Sequence, residues 1–253
     1  MQDPRTILIT GASSGIGAAL AHAYAAPGRR LALQGRDEAR LNEVAEACRA
    51  RGAEAETVTL DVRDGAALKA WIEAVDHRAP VDLVIANAGT GLGLPKPAEL
   101  GEHTEAVFAI NVQGVFDTVH PLVPRMAERR SGQIAIVSSI AGYFGIPGNL
   151  AYTASKAAVR NYGEGLRGYM ARHGVGVSVI SPGFVRSRLT ARNRFPMPFL
   201  MDADRAAGII RRGLARNRAT IIFPLRMAAL TLAIAALPVG LRSRLFQRAP
   251  AKD

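Results

Sequence analysis

Few folds accommodate the glycine-rich segment near the N-terminus, Thr10-Gly11-Ala12-Ser13-Ser14-Gly15-Ile16-Gly17. It directly follows an apolar, β-branched run and opens a helical pattern, which is the setting of a loop that binds phosphate. Three residues separate the first two glycines, whereas the common dinucleotide fingerprint has one. Gly11 permits a tight turn, Gly15 lets the backbone approach a pyrophosphate, and Gly17 allows the helix to pack closely on the strand. The segment therefore predicts an α/β protein that binds a nucleotide.

Short apolar runs alternate with longer amphipathic stretches along the chain, a pattern typical of strand–helix units that build a parallel sheet. The predicted strands are Thr6–Thr10, Arg30–Gln34, Ala55–Leu60, Leu83–Ala86, Gln133–Ser138, Gly176–Ile180 and Thr220–Phe223. Predicted helices include Ile16–Ala26, Asp37–Arg51 and Gly65–Ala79, with Asp37 and Asp64 as N-caps. We therefore predict a single doubly wound, Rossmann-type α/β domain, with a seven-stranded parallel sheet and helices on both faces.

The excess positive charge lies in one part of the chain. Of 253 residues, 49% are hydrophobic and 21% charged, which excludes a disordered or low-complexity protein. Residues 1–185 carry equal numbers of basic and acidic side chains, so the net charge of +11 belongs to residues 186–253. We predict a domain over residues 1–225, which includes an apolar substrate lid over 186–204, and a basic, apolar extension over 226–253.

Several classes of protein are disfavoured by residue counts. Cys48 is the single cysteine, and the five histidines lack the spacing of a zinc motif, so we predict no disulfide and no metal site. The N-terminus lacks a charged region followed by a long apolar one, so we expect no secretory signal and a cytoplasmic protein. Aromatic residues are not interleaved with the basic residues of the tail, so we expect no binding to nucleic acid.

Five further motifs follow the glycine loop. They are Asp61-Val62, Asn87-Ala88-Gly89, Ser138-Ser139, Tyr152-Thr153-Ala154-Ser155-Lys156 and Pro182-Gly183-Phe184-Val185-Arg186-Ser187. Ser139 precedes Tyr152 by 13 residues, and Asn111 lies in Ile110-Asn111-Val112. In this order the motifs resemble the short-chain dehydrogenase/reductase family, over about residues 5–223. Ser187 stands where that family usually has threonine.

The resemblance implies a catalytic tetrad and a dinucleotide site. The implied tetrad is Asn111, Ser139, Tyr152 and Lys156. The implied cofactor contacts are Gly11, Ser14, Gly15, Ile16, Gly17, Asp61, Val62, Asn87, Ala88, Gly89, Tyr152, Lys156, Pro182, Gly183, Val185 and Ser187. The long helix after Tyr152, which contains three glycines, often forms a subunit interface in the family, so we expect a homodimer or homotetramer.

The chemistry of carbonyl reduction suggests a role for each member of the tetrad. The developing alkoxide needs a proton donor, and an unperturbed tyrosine, with a pKa of about 10, exchanges protons poorly at neutral pH. Lys156 lies one helical turn after Tyr152, where its charge would lower that pKa and its amine would reach the ribose hydroxyls. Ser139 would orient the substrate oxygen. Asn111 would hold a water that relays the proton.

The end of the second strand bears on the choice of cofactor. An acidic residue there accepts hydrogen bonds from the adenosine ribose, whereas a basic residue attracts a 2′-phosphate. Gly35 occupies the position that is acidic in NAD-dependent relatives, and Arg36 follows it. We therefore predict that NADP(H) is preferred over NAD(H), with Ser13 as a second phosphate contact. Arg36 could instead be a solvated residue at the start of a helix.

The basic, apolar end of the chain allows three interpretations. Residues 227–241 carry no charge and are flanked by Arg226, Arg242 and Arg244, a pattern compatible with the interface of an anionic membrane. The basic surface could instead receive an acidic carrier or a phosphorylated substrate. In the third interpretation, the apolar part covers a neighbouring subunit. At 15 residues the uncharged run is short for crossing a bilayer.

Together these patterns predict an NADP-dependent oxidoreductase that interconverts a carbonyl and a secondary alcohol. The apolar segment Phe195-Pro196-Met197-Pro198-Phe199-Leu200-Met201, expected to be the substrate lid, favours a hydrophobic, lipid-linked or carrier-linked substrate. Two alternatives stay open. The same tetrad could start an epimerisation or dehydration of a sugar, or the chain could be a sensor or scaffold that binds NADP without turnover.

Overall fold

The structure is a computed structural model that describes residues 3–91, 93, 95–191 and 196–246, and in these residues seven strands form one sheet. The strands are β1 Thr6–Thr10, β2 Arg30–Gly35, β3 Glu54–Thr59, β4 Leu83–Ala86, β5 Gln133–Val137, β6 Gly176–Pro182 and β7 Thr220–Phe223. Their order is β3-β2-β1-β4-β5-β6-β7, and every neighbouring pair is parallel. This confirms the predicted Rossmann-type fold.

Helices connect the strands and continue after the last of them. Those in the described residues are α1 Gly15–Tyr24, α2 Glu38–Arg49, α3 Gly65–Arg78, α4 Leu100–Phe108, α5 Gly114–Val119, α6 Val123–Glu128, α7 Leu150–Ala171, α8 Arg188–Ala191, α9 Ala203–Ala215, α10 Leu225–Ala235 and α11 Val239–Phe246. The first three begin and end within two residues of the predicted bounds. Helix α1 ends at Tyr24, two residues before the predicted end, and Ala25 is already extended.

Two aspartates begin helices, as the sequence predicts. The Asp37 carboxylate accepts a hydrogen bond from the Arg40 amide at 3.2 Å, and the Asp64 carboxylate accepts one from the Ala67 amide at 3.0 Å. Each bond satisfies one of the amide groups that the first turn of a helix leaves without an intrahelical partner. Both N-caps are therefore confirmed.

The core consists of two apolar layers, one on each face of the sheet. In β1, Ile7 and Ile9 belong to one cluster and Leu8 belongs to the other, because successive side chains of a strand point to opposite faces. The first cluster includes side chains of α1, α2 and α9, and the second includes side chains of α3, α5 and α7. Both faces of the sheet are therefore covered by helices.

The strand order reverses between β1 and β4. From β1 the chain builds outward to β2 and β3, and it then returns to β4 and builds in the opposite direction. In open parallel sheets, ligands bind outside the carboxyl ends of the strands at such a reversal. The glycine-rich loop follows β1 directly, so it lies at this position.

The segment expected to form a lid returns to the end of β6. Val185 and Met201 form an isolated bridge, and the Arg186 amide donates to the Met201 carbonyl at 2.8 Å. Of the apolar residues expected in the lid, Phe195 lies outside the described part of the chain. The lid stays a prediction.

Helices α10 and α11 form the end of the described chain and, with the residues between them, contain the uncharged run of residues 227–241. Helix α10 packs on β7 and on the short 3₁₀ turn Ile140–Tyr143, which follows β5. The boundary predicted between residues 225 and 226 coincides with the first turn of α10 and is otherwise untested.

One helical stretch of the described residues, Pro97–Glu128, is apolar and long enough to cross a membrane. It comprises α4 to α6, and 44% of its most apolar window is buried inside the fold. Its contacts with β4, α3 and α7 identify it as one of the helices that cover the sheet.

Candidate active site

A cleft with a volume of about 690 Å³ lies along the carboxyl edge of the sheet. Most of the sequence-predicted site residues line it. They are Gly11, Ser13, Ser14, Gly15, Ile16, Arg36, Asp61, Val62, Asn87, Ala88, Gly89, Ser139, Tyr152, Lys156, Pro182, Gly183, Val185 and Ser187. Gly17 and Asn111 are buried and are not among the lining residues. The structure thus brings the two groups predicted from separate motifs, the cofactor contacts and the tetrad, into one place.

The glycine-rich loop leaves no room for a side chain at any of its three glycines, as Gly15 and Gly17 illustrate. Gly15 has a φ of 57°, and a Cβ atom there would lie 2.9 Å from the Cβ atom of Ser187. A Cβ atom on Gly17 would lie 2.2 Å from the Gly11 carbonyl oxygen. The loop therefore needs glycine at both positions, and Gly17 acts by letting α1 approach the loop.

Two side-chain amides fix the loop against the sheet. The Asn87 amide donates to the carbonyls of Thr10 and Gly11, at 3.0 and 3.1 Å. The Gly11 amide donates to the Gln34 side-chain oxygen at 3.1 Å. No role for Gln34 was predicted, although it is the single amide side chain of β2 and follows the apolar run Leu31-Ala32-Leu33.

Ser139, Tyr152 and Lys156 meet above the ends of β5 and β6. Ser139 directly follows β5, and its hydroxyl accepts from the Ala141 amide at 3.1 Å and donates to the Pro182 carbonyl at 3.5 Å. It lies close enough to the Tyr152 phenol to influence the pKa of that group. The Lys156 amine lies 5.9 Å from the centre of the Tyr152 ring and donates to the Val137 carbonyl at 3.0 Å. The phenol, the hydroxyl and the amine therefore share one corner of the cleft.

The electrostatics of this corner differ from the expectation. Burial raises the pKa of the Tyr152 phenol, and its hydrogen bond with Ser139 opposes that rise only in part. Burial also lowers the pKa of Lys156 to about 8, because a charged amine loses hydration there. In the protein alone the net shift of the Tyr152 pKa is therefore upward, because of desolvation. The prediction that Lys156 lowers this pKa stays a prediction.

Asn111 is completely buried behind the cleft, in a π turn between α4 and α5. Its side-chain oxygen accepts from the Thr90 amide at 2.8 Å, and its nitrogen donates to the Thr90 carbonyl and the Ser155 hydroxyl, both at 3.0 Å. The amide is therefore engaged with protein groups and holds the loop after β4 to the helix of Tyr152. The predicted water relay through Asn111 stays a prediction.

Charged side chains surround the end of β2. The Asp61 carboxylate pairs with Arg63 at 2.8 Å and with Arg36 at 3.8 Å, and the hydrogen bond from Arg63 lowers the pKa of that carboxyl. Arg40, which the sequence analysis did not consider, also lines the cleft and pairs with Asp37. Its position in the first turn of α2, shortly after the end of β2, is the signal that could have identified it. Two arginines thus line this end of the cleft.

The opposite end of the cleft is mostly apolar. The side chains there include Phe144, Ile146, Phe184 and Leu189, and α10 adds the four residues Met227, Leu230, Thr231 and Ile234. The described residues Pro196–Met201, expected to form the lid, are not among the lining residues. The role of α10 as a wall of the cleft was not predictable from local sequence, because its contacts with the turn after β5 are non-local.

The cleft fits a nicotinamide dinucleotide. Its glycine cradle opens a helix N-terminus, where backbone amides favour a pyrophosphate, and its volume lies within the range of ligand sites. Arg36 and Arg40 at one end, and the tetrad corner towards the other, match the two ends of such a molecule.

Residues 5–196 match the sequence model of the family of short chain dehydrogenases. A relative from Myxococcus xanthus, named only as an uncharacterized oxidoreductase, is 41% identical over 92% of this chain and 93% of its own. A protein of Nostoc named as a ketoacyl reductase is 33% identical over 78% of this chain and 69% of its own. The chain therefore belongs to the short-chain dehydrogenase/reductase family and is an oxidoreductase.

Among solved structures of similar proteins, one contains NADPH and another contains NAD. A short-chain dehydrogenase from Sphingobium yanoikuyae, in complex with NADPH, is 28% identical, covers 98% of both chains and has a TM-score of 0.81. A short-chain dehydrogenase from Mycobacterium paratuberculosis, bound to NAD, is 24% identical, covers 86% of this chain and 94% of its own, and has a TM-score of 0.75. The second shows the fold alone, and together they leave the choice of nucleotide open.

Proposed function

We propose that the protein is an NADP-dependent reductase that interconverts an apolar ketone or aldehyde and the corresponding alcohol. The observation that carries the proposal is the corner formed by Ser139, Tyr152 and Lys156, which opens into an apolar half-cleft on one side and the glycine cradle on the other. A proton donor therefore stands where a carbonyl and a nicotinamide would meet.

The protein's part in the reaction is to orient the carbonyl and supply a proton. NADPH, when bound, supplies the hydride. The Ser139 hydroxyl donates a hydrogen bond to the carbonyl oxygen, and the Tyr152 phenol transfers its proton to the alkoxide that develops there. Burial raises the pKa of Tyr152, which keeps the phenol protonated and suits it as the acid in the reductive direction.

Lys156 acts beside the phenol. With a pKa of about 8 its amine is mostly protonated at pH 7, and the charge lies close enough to stabilise the phenolate after proton transfer. That amine donates to the Val137 carbonyl and also borders the cleft, so it is available to a ribose hydroxyl. Asn111 supports the corner from behind through Ser155.

The preference for NADPH rests on the end of β2. Gly35 provides no carboxylate to accept bonds from a ribose, and Arg36 and Arg40 place two positive charges beside that position. Ser13 lies beside Gly35, since a Cβ atom there would be 3.1 Å from the Ser13 Cβ atom. Both arginines already pair with aspartates, so the preference should be moderate in size.

The family is commonly oligomeric, and α7 offers a surface for a second copy of the chain. Gly163 packs on the sheet, where a Cβ atom would lie 2.6 Å from Val179. A Cβ atom at Gly165 or Gly168 would meet nothing within 4 Å in the described residues. We propose a homodimer or homotetramer in the cytoplasm that contacts its partner copy through this face.

Replacing the phenol tests the mechanism. We expect Tyr152→Phe to lower the rate of NADPH-dependent carbonyl reduction by about 100- to 10,000-fold, the usual contribution of a positioned acid. Binding of NADPH, measured by fluorescence titration, should stay within about threefold, because the glycine cradle is unchanged. Tyr169→Phe removes a hydroxyl from an exposed tyrosine outside the cleft and serves as the matched control. Unchanged turnover in Tyr152→Phe would overturn the mechanism.

A further inference from the structure

The last two helices expose an unusual amount of apolar surface. We call α10 and α11 together the C-terminal helix pair. Six of the ten large hydrophobic side chains that are exposed in the described residues belong to this pair. They are Leu225, Leu230, Leu232, Val239, Leu241 and Leu245. Large apolar patches are rarely left to water and usually mark an interface.

The charge of this pair indicates the kind of partner. Its charged side chains in the described residues are Arg226, Arg242 and Arg244, and no acidic side chain occurs in residues 205–252. Arg226 and Arg244 lie exposed near the two ends of the pair. A second copy of the chain would bring like charges together at a twofold interface, whereas an anionic surface would neutralise them. The pattern therefore favours a partner that is both apolar and anionic.

The length of the helices distinguishes crossing a bilayer from lying on its surface. At 1.5 Å per residue, α10 and α11 extend about 16 and 12 Å, well short of the ~30 Å hydrocarbon core of a bilayer. Leucines with flanking arginines on short helices are typical of elements that lie in the plane of a membrane surface. We propose that the C-terminal helix pair docks on the surface of an anionic lipid bilayer.

The docking surface is continuous with the cleft. Leu230 is 59% exposed and at the same time lines the cleft, as do Met227 and Ile234 of the same helix. A Cβ atom on Gly183, in the turn beside the tetrad, would lie 3.0 Å from the sulfur of Met227. The apolar mouth of the cleft therefore opens beside the bilayer. This inference rests on the proposed reductase function and narrows its substrate class to carbonyl compounds dissolved in the lipid.

Vesicle flotation of the full chain tests the docking without any assay of activity. The protein should float with vesicles of phosphatidylcholine and phosphatidylglycerol, and should stay in solution with phosphatidylcholine alone or at high salt. The double variant Arg226→Glu/Arg244→Glu should lower the partition coefficient at least about thirtyfold, or about 1 kcal/mol for each arginine lost.

A matched control distinguishes docking by the C-terminal helix pair from attraction due to the net charge of the whole protein. Arg216→Glu/Arg218→Glu changes the net charge equally, but both residues are exposed before β7, at the opposite end of that strand from α10. It should retain most of the binding. Equal loss in both double variants would overturn the proposal, because attraction would then not depend on the C-terminal helix pair.

Two other results would identify a different partner for the C-terminal helix pair, either an acidic carrier protein or a second copy of the chain. If the wild-type protein stays in solution with anionic vesicles but binds an acidic carrier protein, docking on lipid is wrong and the basic surface serves the carrier. If it stays in solution and light scattering shows that Leu232→Ser/Leu241→Ser converts an oligomer to a smaller species, the helix pair covers a second copy. Either result overturns the proposal.

Activity measurements then distinguish the two proposals from each other. The Arg226→Glu/Arg244→Glu variant should reduce a short water-soluble ketone at the wild-type rate. Its rate with a long-chain ketone held in anionic vesicles should be about tenfold or more below that of the wild type. Flotation without turnover of either ketone would reject the reductase and keep the docking. Turnover of both ketones at wild-type rates by the variant would reject delivery from the bilayer.

Discussion

Gln34 shows how one buried polar side chain can organise the start of a nucleotide site. It is 1% exposed, its oxygen accepts from the Gly11 amide at 3.1 Å, and its nitrogen donates to the Leu60 carbonyl at 2.6 Å. Because a buried amide without partners is costly, both of these bonds must persist for β2 to remain buried. The side chain thereby joins the loops that follow β1 and β3.

At the same scale, Arg36 allows a direct test of nucleotide preference. We expect Arg36→Ala to raise the KM for NADPH by about tenfold, the value of roughly one charge-assisted hydrogen bond, with little change in the KM for NADH. The measurement is a pair of saturation curves, one with each nucleotide. Arg63→Ala, which removes the other partner of Asp61 without lining the cleft, is the control. A wild-type protein that prefers NADH would contradict the assignment.

The site residues differ in how far the sequence could identify them. Tyr152 and Lys156 have a fixed spacing on one helix, and Gly11, Gly15 and Gly17 stand in one short loop, so local pattern is enough to select them. Their electrostatic state could not be predicted, because desolvation depends on what the fold packs around them. For Tyr152 that packing raises the pKa, although the neighbouring charge alone would lower it.

At the scale of elements, the strands and helices of the sheet were predictable because their signals are local. Alternation of apolar residues, the caps at Asp37 and Asp64, and the glycine loop each act within about ten residues. The position of α10 was not predictable in this way. An uncharged, leucine-rich run fits a membrane surface, a subunit interface or a cleft wall equally well, and only its contacts with a turn some 80 residues earlier show that one face of α10 lines the cleft.

Helix α7 carries a prediction about assembly. We expect Gly165→Leu/Gly168→Leu to leave a folded chain with the monomer mass of 26.8 kDa by light scattering, because the new side chains would crowd a partner copy. Leucine is a better helix former than glycine by about 0.5–1 kcal/mol, so the helix itself should tolerate the change. Ala66→Leu/Ala70→Leu on the exposed face of α3 should leave the mass unaltered. A monomeric wild-type protein would refute the interface.

For the molecule as a whole, Lys156 predicts how stability depends on pH. Its pKa is about 8 in the folded protein against 10.5 for an ordinary lysine, so between these values the unfolded chain binds more protons. Stability from this group therefore rises as the pH increases through that window, by at most about 1.4 kcal/mol per pH unit.

Chemical denaturation of two variants between about pH 8 and 9.5 measures this effect, in a range below the ordinary pKa of tyrosine. The difference in unfolding free energy between wild type and Lys156→Met should shift in favour of wild type as the pH rises. Lys69→Met, at an exposed lysine, is the matched control. A flat profile for Lys156→Met would mean that the amine is hydrated in the folded protein.

The contact between Gly15 and Ser187 has a kinetic consequence. Ser187 follows β6, yet it reaches back over the ends of β5 and β4 to the loop after β1. The arginines of the cleft lie beside β2, whereas its apolar residues include those of α10. An alcohol that leaves past α10 need not displace a nucleotide held at the glycine loop. We therefore predict that the alcohol is released first and the nucleotide last, an order that product-inhibition kinetics can test.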